Sequence, residues 1–178
     1  MKTLAVFALV CAMMALVRAA VLNLLAVSEA AAEKDQAETK SHVVKRSVYC
    51  PGGWTSINGR CFYFNPTPMR WARAERNCYS MGGHLASVSN TMELLEIEKM
   101  TMTATHRMKL AWVGGSELHT VNVWTWSDGT PFSYTDWCDG EPNQRGVQRC
   151  IQINFSAEKC WDNMHCSLKL PSVCVKRS

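Results

Sequence analysis

Residues 138–166 read "CDGEPNQRGVQRCIQINFSAEKCWDNMHC" and set Glu141, Pro142 and Asn143, then Asp162 and Asn163, among four cysteines. Carboxylate and amide oxygens are the donors that a hard divalent cation takes, six to eight of them at about 2.3–2.6 Å for calcium. A lone Glu-Pro-Asn is by default solvated loop chemistry. Crowded between cysteines, the same residue types can form an oxygen cage, and the surrounding chain decides between the two.

The chain has 178 residues, 47% of them apolar and 19% charged, which is ordinary globular composition for one domain and a short extension. Its net charge of +4 is small and scattered, without a block of five or six basic residues, so nucleic acid is excluded as a partner. Residues 1–20, "MKTLAVFALVCAMMALVRAA", carry one early lysine, an apolar run from Leu4 to Val17 and small residues at the end. That is the pattern of a secretory signal peptide, and Arg18 interrupts the run before the roughly 20 residues that a membrane span needs. Residues 21–46 contain no cysteine, aromatic residue, glycine or proline and end in Lys45-Arg46. They are expected to form a pro-segment cut at that dibasic pair or an uncut flexible arm. The folded domain is expected over residues 47–178.

One of the nine cysteines, Cys11, falls in the signal sequence, leaving Cys50, Cys61, Cys78, Cys138, Cys150, Cys160, Cys166 and Cys174. In an oxidising compartment an even set indicates four disulfides, and spacing alone leaves all 105 pairings open. Zinc at Cys160, His165 and Cys166 is the alternative, disfavoured because no paired C-x2-C knuckles occur.

The pattern within the domain is α+β. "CFYF" at 61–64 suits a buried strand. Thr67 as N-cap, Pro68 at the first helical position, Met69, Ala72 and Cys78 at helical spacing and Gly82-Gly83 as a stop predict one helix. Asn90 with Glu93 predicts a second, running to about Thr103. After a strand-like "HLASV", short β-like pieces follow: "AWVGG", "VWTW", "CIQINF" and "SVCV". Between them, Ser127 to about Gln148 is longer than ordinary connections and is therefore expected to be functional or mobile. Trp112, Trp124, Trp126, Trp137 and Trp161 are expected in the core.

"PGGWTSINGRCFYF", "GGHLASV", "AWVGG", "WTWSDGTPFSYTDW", "EPN", "CWDN" and "SVC", in this order and spacing, resemble the C-type lectin-like domain over Cys50 to Cys174. Within that family the chain looks most like fish soluble lectins of the ladderlectin and nattectin kind and the type II antifreeze proteins. The resemblance implies a double-loop fold with two helices, short antiparallel strands and a long disulfide-tied loop region. It implies the pairs Cys50–Cys61, Cys78–Cys174 and Cys150–Cys166, with Cys138–Cys160 as a fourth. Some antifreeze relatives carry a fifth bridge at places held here by Ser116 or Glu117 and by Arg149.

For function, the resemblance implies a secreted, calcium-dependent carbohydrate-binding protein with a role in innate defence. Calcium is expected at one ion at most, with Glu141, Asn143, Gln148, Asp162 and Asn163 as its ligands and Pro142 following a cis peptide. Glu141, Asn143, Asp162 and Asn163 are expected to bind carbohydrate as well. Glu-Pro-Asn resembles the mannose-type order, Gln-Pro-Asp the galactose-type. Gln148 stands where the family has an acidic residue, and Asp162-Asn163 reverses the usual order, so three carboxylates fall to two. The rival readings are a type II antifreeze-like ice-binding protein, with Thr101, Thr103 and Thr105 as candidates, and a lectin-like domain that has lost both ligands. No enzyme motif is present, His84, His106, His119 and His165 show no metal-like spacing, and the sequence assigns no oligomeric state. Asn154-Phe155-Ser156 is a possible glycosylation sequon.

Overall fold

The computed structural model describes residues 49–178; the expected signal peptide and pro-segment lie outside them. Two strands open the domain, β1 (Thr55–Ile57) and β2 (Arg60–Met69), turning through Asn58 and Gly59, both at positive φ. Helix α1 (Trp71–Ser80), β3 (His84–Leu85) and helix α2 (Thr91–Thr105) follow. The remaining strands are β4 (Ala111–Thr120), β5 (Val123–Trp126), β6 (Cys150–Phe155), β7 (Cys160–Met164) and β8 (Leu170–Arg177). The sheet runs β1-β2-β8-β4-β6-β7, with β3 added on β8 and β5 on β4. Every pairing is antiparallel except β4 with β8. Strand β8 lies along β2 with Arg60 opposite Arg177, so the two ends of the domain close on each other.

The first helix starts later than the sequence suggests. Thr67, Pro68 and Met69 belong to β2, and Arg70 is the N-cap, without a side-chain cap bond. A residue before proline is pushed toward extended backbone. Pro66 and Pro68 therefore keep the chain extended until both are passed, and Asn65 Oδ1 accepts from the Thr67 amide at 3.0 Å. The buried face of α1 is consequently Trp71, Ala74 and Cys78, and Ala72 is exposed. Trp71 Nε1 donates to Val113 O at 2.8 Å and Trp112 Nε1 to Met69 O at 3.0 Å, fixing α1 and the end of β2 on β4. Gly82 at φ +80° and a Gly83 N to Cys78 O bond end the helix as the glycine pair suggests.

Helix α2 begins as expected: Asn90 Oδ1 accepts from Glu93 N at 2.9 Å, and Glu93 Oε2 accepts from Ser89 N at 2.7 Å. Glu93 is buried but paired with Arg60, whose guanidinium also bonds Ser87. Of "HLASV" only His84–Leu85 pairs as strand. Strand β4 extends five residues beyond "AWVGG", and its first glycine is required: a Cβ on Gly114 would lie 2.5 Å from the backbone oxygen of Leu85.

All four cysteine pairs form as Cys50–Cys61, Cys78–Cys174, Cys138–Cys160 and Cys150–Cys166. Trp112, Trp126 and Trp161 are buried, whereas Trp124 and Trp137 are half-buried against the core. Rings of Phe132, Tyr134 and Trp137 lie within 6.4 Å of Trp161, so the long segment after β5 is clad in aromatics and lies against the sheet. It docks on β7 through Cys138 N to Trp161 O at 2.9 Å and Trp161 N to Asp136 O at 2.6 Å. That docking brings the segment carrying Glu141 beside Asp162 and Asn163.

Candidate functional site

The Glu141–Pro142 peptide is cis, and the side chains on either side of the proline meet: Asn143 Nδ2 donates to Glu141 Oε1 at 2.8 Å. Asn143 N donates to Glu141 Oε2 at 3.0 Å and to Asn163 Oδ1 at 2.8 Å. Asn163 Nδ2 uses both hydrogens, on Asn143 O and on Gln148 O, each at 2.6 Å. A primary amide has two donors and one carbonyl, so Asn163 is bound at all three and is fully buried. It works as a strut that holds both ends of the loop to β7.

Asp162 is also buried, at 3% exposure, and Gln152 Nε2 on the neighbouring strand donates to its Oδ2 at 2.6 Å. Burial pushes the Asp162 carboxyl up, against the hydrogen bonds it accepts. Burial likewise pushes Glu141 up, opposed by the Asn143 amide and reinforced by the nearby Asp162 carboxylate. Two acids facing each other in a poorly solvated place favour protonation, and a cation between them would reverse that preference.

The donor chemistry fits one hard cation. Glu141 and Asp162 supply carboxylates, Asn143 an amide oxygen, and Gln148 Oε1 is buried with no hydrogen-bond partner. Asn163 Oδ1 already accepts from the Asn143 amide, which leaves its second lone pair for a cation. The expected carbohydrate contacts divide by burial. Glu141 is half-buried and Asn143 exposed, while Asp162 and Asn163 lie beneath them, out of reach of a ligand arriving from solvent. Among the described residues no three His, Cys, Asp or Glu side chains cluster as a metal site, consistent with a set that has only two carboxylates.

Gln152, Glu117 and Arg149 support the loop in ways that sequence reasoning does not reach. Gln152 holds Asp162, and an amide in the middle of the apolar run "CIQINF" is the signal that could have found it. Glu117, 1% exposed, accepts from Asn122 N at 2.7 Å and Gly146 N at 2.9 Å, and its backbone exchanges bonds with Arg149. This polar clamp occupies the place where the fifth bridge of some relatives is expected, and it holds the far end of the loop. Asn154 is buried, with Nδ2 donating to Lys109 O at 2.8 Å, so a glycan on that nitrogen would have to displace the bond.

Two helices, the curled sheet, the disulfide frame and the loop beside β7 define a C-type lectin-like domain. A family model described as "Lectin C-type domain" matches residues 67–176, and the chain belongs to that family. It is similar to a type-2 ice-structuring protein of Brachyopsis segaliensis, 38% identical over 97% of this chain and 98% of the relative. Ladderlectin of Oncorhynchus mykiss is 34% identical, covering 100% and 95%. The galactose-specific lectin nattectin of Thalassophryne nattereri is 35% identical, covering 76% and 86%. Among solved structures, a Ca2+-dependent type II antifreeze protein in its Ca2+-free form superposes with a TM-score of 0.67 at 34% identity, covering 71% of this chain and 99% of the other. A calcium-independent type II antifreeze protein also gives 0.67, at 39% identity, covering 72% and 95%.

Proposed function

We propose that the chain is a secreted carbohydrate-binding protein, without enzymatic activity, that holds mannose-type sugars through one calcium ion at the loop carrying Glu141. Defence at body surfaces or in body fluids is the role that such binding would serve. The observation carrying this reading is that Glu141 and Asn143 present a carboxylate and an amide side by side at the solvent edge, above the buried Asp162. Bound calcium would supply an electrostatic anchor for two neighbouring sugar hydroxyls. Glu141 would accept from one hydroxyl and Asn143 Nδ2 donate to the other, and this order of acceptor and donor is the basis for preferring mannose-like over galactose-like geometry.

The test is retention on mannan and galactose columns in calcium and in chelator. Calcium-dependent retention on mannan alone supports the proposal; retention on galactose alone, or on neither, overturns it.

Ice binding is the second reading, favoured by the likeness to ice-structuring proteins along nearly the whole chain. Its threonine candidates lose support: Thr101 is fully buried, and the hydroxyls of Thr101, Thr103 and Thr105 donate to backbone carbonyls. An ice surface would have to use the Glu141 loop instead. Thermal hysteresis without calcium-dependent sugar retention is the outcome that would favour this reading.

A further inference from the structure

Arg70, Arg73, Arg76 and Lys169 line a groove of about 700 Å³ along α1, with Thr67 and Met69 in its wall and no acidic side chain among its lining residues. All four cations are exposed, and the ion pairs among the described residues involve Arg60, His84 and Lys99 but none of these four. The one carboxylate on α1, Glu75, is engaged by His84 Nδ1 at 2.7 Å and by the Leu85 amide at 2.8 Å. Residues 47–178 carry a net charge of only +2, so this concentration of positive charge is local.

The placement works against the helix. The N-terminus of a helix is its positive end, where an acidic side chain or a Ser, Asp or Asn cap stabilises. Here Arg70 is the N-cap without a cap bond, Arg73 follows one turn later, and the first turn holds no acidic residue. Helix stability does not account for that arrangement, whereas an anionic ligand does, since helix end and guanidinium groups would attract it together. From Arg70 to Arg76 the helix rises about 9 Å. One phosphate or sulfate cannot span that distance, but a chain with repeated anionic groups can. No groove residue is an exposed large apolar side chain suited to enter a lipid surface, and no aromatic ring lines the groove to stack a base.

We infer that this groove binds a linear polysaccharide bearing sulfate or phosphate esters, through charge and without calcium. It shares no residue with the Glu141 loop and does not rest on the sugar reading above.

The test is chromatography of the full chain on dextran sulfate, on a phosphomannan and on neutral dextran, with a salt gradient, in calcium and in chelator. The two charged columns distinguish sulfate from phosphate esters. Retention on either, but not on neutral dextran, at equal strength with and without calcium is expected. Arg73→Ser with Arg76→Ser should weaken Kd at least tenfold, as measured by titration with the retained polymer. Arg107→Ser with Arg145→Ser, which removes the same charge elsewhere, should change it less than twofold. All four positions are exposed, and circular dichroism would verify that both variants fold. Wild-type affinity in the first variant, an equal loss in the second, a requirement for calcium, or binding only to vesicles of phosphatidylcholine and phosphatidylserine in equal parts would each overturn the proposal.

Discussion

Gln148 combines two contacts of opposite kind. Its backbone oxygen receives a hydrogen bond from Asn163, and its side-chain oxygen is buried without one. A buried acceptor without a partner is costly unless a cation or water meets it. Gln148→Glu is therefore expected to tighten calcium by about tenfold, because affinity at such sites rises with ligand charge. In chelator the same change puts a carboxylate where the buried, unpartnered amide oxygen stood and should lower the melting temperature. Calorimetry in both conditions checks the pair of opposite signs, and unchanged calcium affinity would remove Gln148 from the site. Glu98 gives a second residue-scale expectation. Burial pushes its carboxyl up from 4.5, with Asp136 adding and Lys159 opposing. A raised acid loses stability as pH climbs through the folded value. Glu98→Gln should therefore melt higher than the parent at neutral pH, and the two should converge below about pH 4.5.

At the scale of elements, local signals were legible and long-range ones were not. The start of α2 was readable because Asn90 and Glu93 contact each other three residues apart. The start of α1 is not local: Thr67-Pro68 mimics a helix entry, while the pairing of β2 with β8, set by residues a hundred positions away, keeps Met69 opposite Leu170. Strand β7 was hidden for a related reason: "CWDNM" reads as polar loop until Gln152 pairs with Asp162 and Ile151 with Asn163. The site inherited that gap. Its residues were visible as oxygen donors, but the division into exposed Glu141 and Asn143 and buried Asp162 and Asn163 required the strand. The unfavourable cap of α1 makes a prediction at this scale. Arg70→Asp should stabilise the domain by about 1 kcal/mol through a cap bond and the helix dipole, raising the melting temperature by a few degrees. The same variant should elute earlier from dextran sulfate, because it exchanges a cation for an anion in the groove.

Across the whole molecule, closure is made twice, by the β2–β8 pairing and by Cys78–Cys174, which spans 96 residues. In the chain-entropy view a bridge of that span stabilises by about 4.7 kcal/mol, against about 2.8 kcal/mol for the 11-residue Cys50–Cys61 link. Replacing Cys78 and Cys174 together by Ala should thus lower denaturant stability more than replacing Cys50 and Cys61. The reverse order would mean that strand pairing, rather than the bridge, closes the fold.

A frame held this way leaves the Glu141 loop free of structural duty, which gives the sharpest expectation for the molecule. Glu141 accepts from Asn143, two residues away, and faces the Asp162 carboxylate, to which its carboxyl hydrogen-bonds when protonated. Removing it deletes local bonds on one side and relieves a pair of like charges on the other. Glu141→Ala should therefore leave the melting temperature in chelator within about 1 °C of the parent, the usual scale of a change outside the core. The same variant should abolish calcium-induced stabilisation, which for a ligand binding only the folded state follows its free concentration over Kd, and should no longer be retained on mannan. Scanning calorimetry with and without calcium separates the two effects. If the variant unfolds several degrees lower in chelator, Glu141 is part of the frame, and the loop beside β7 is a structural latch rather than a ligand site.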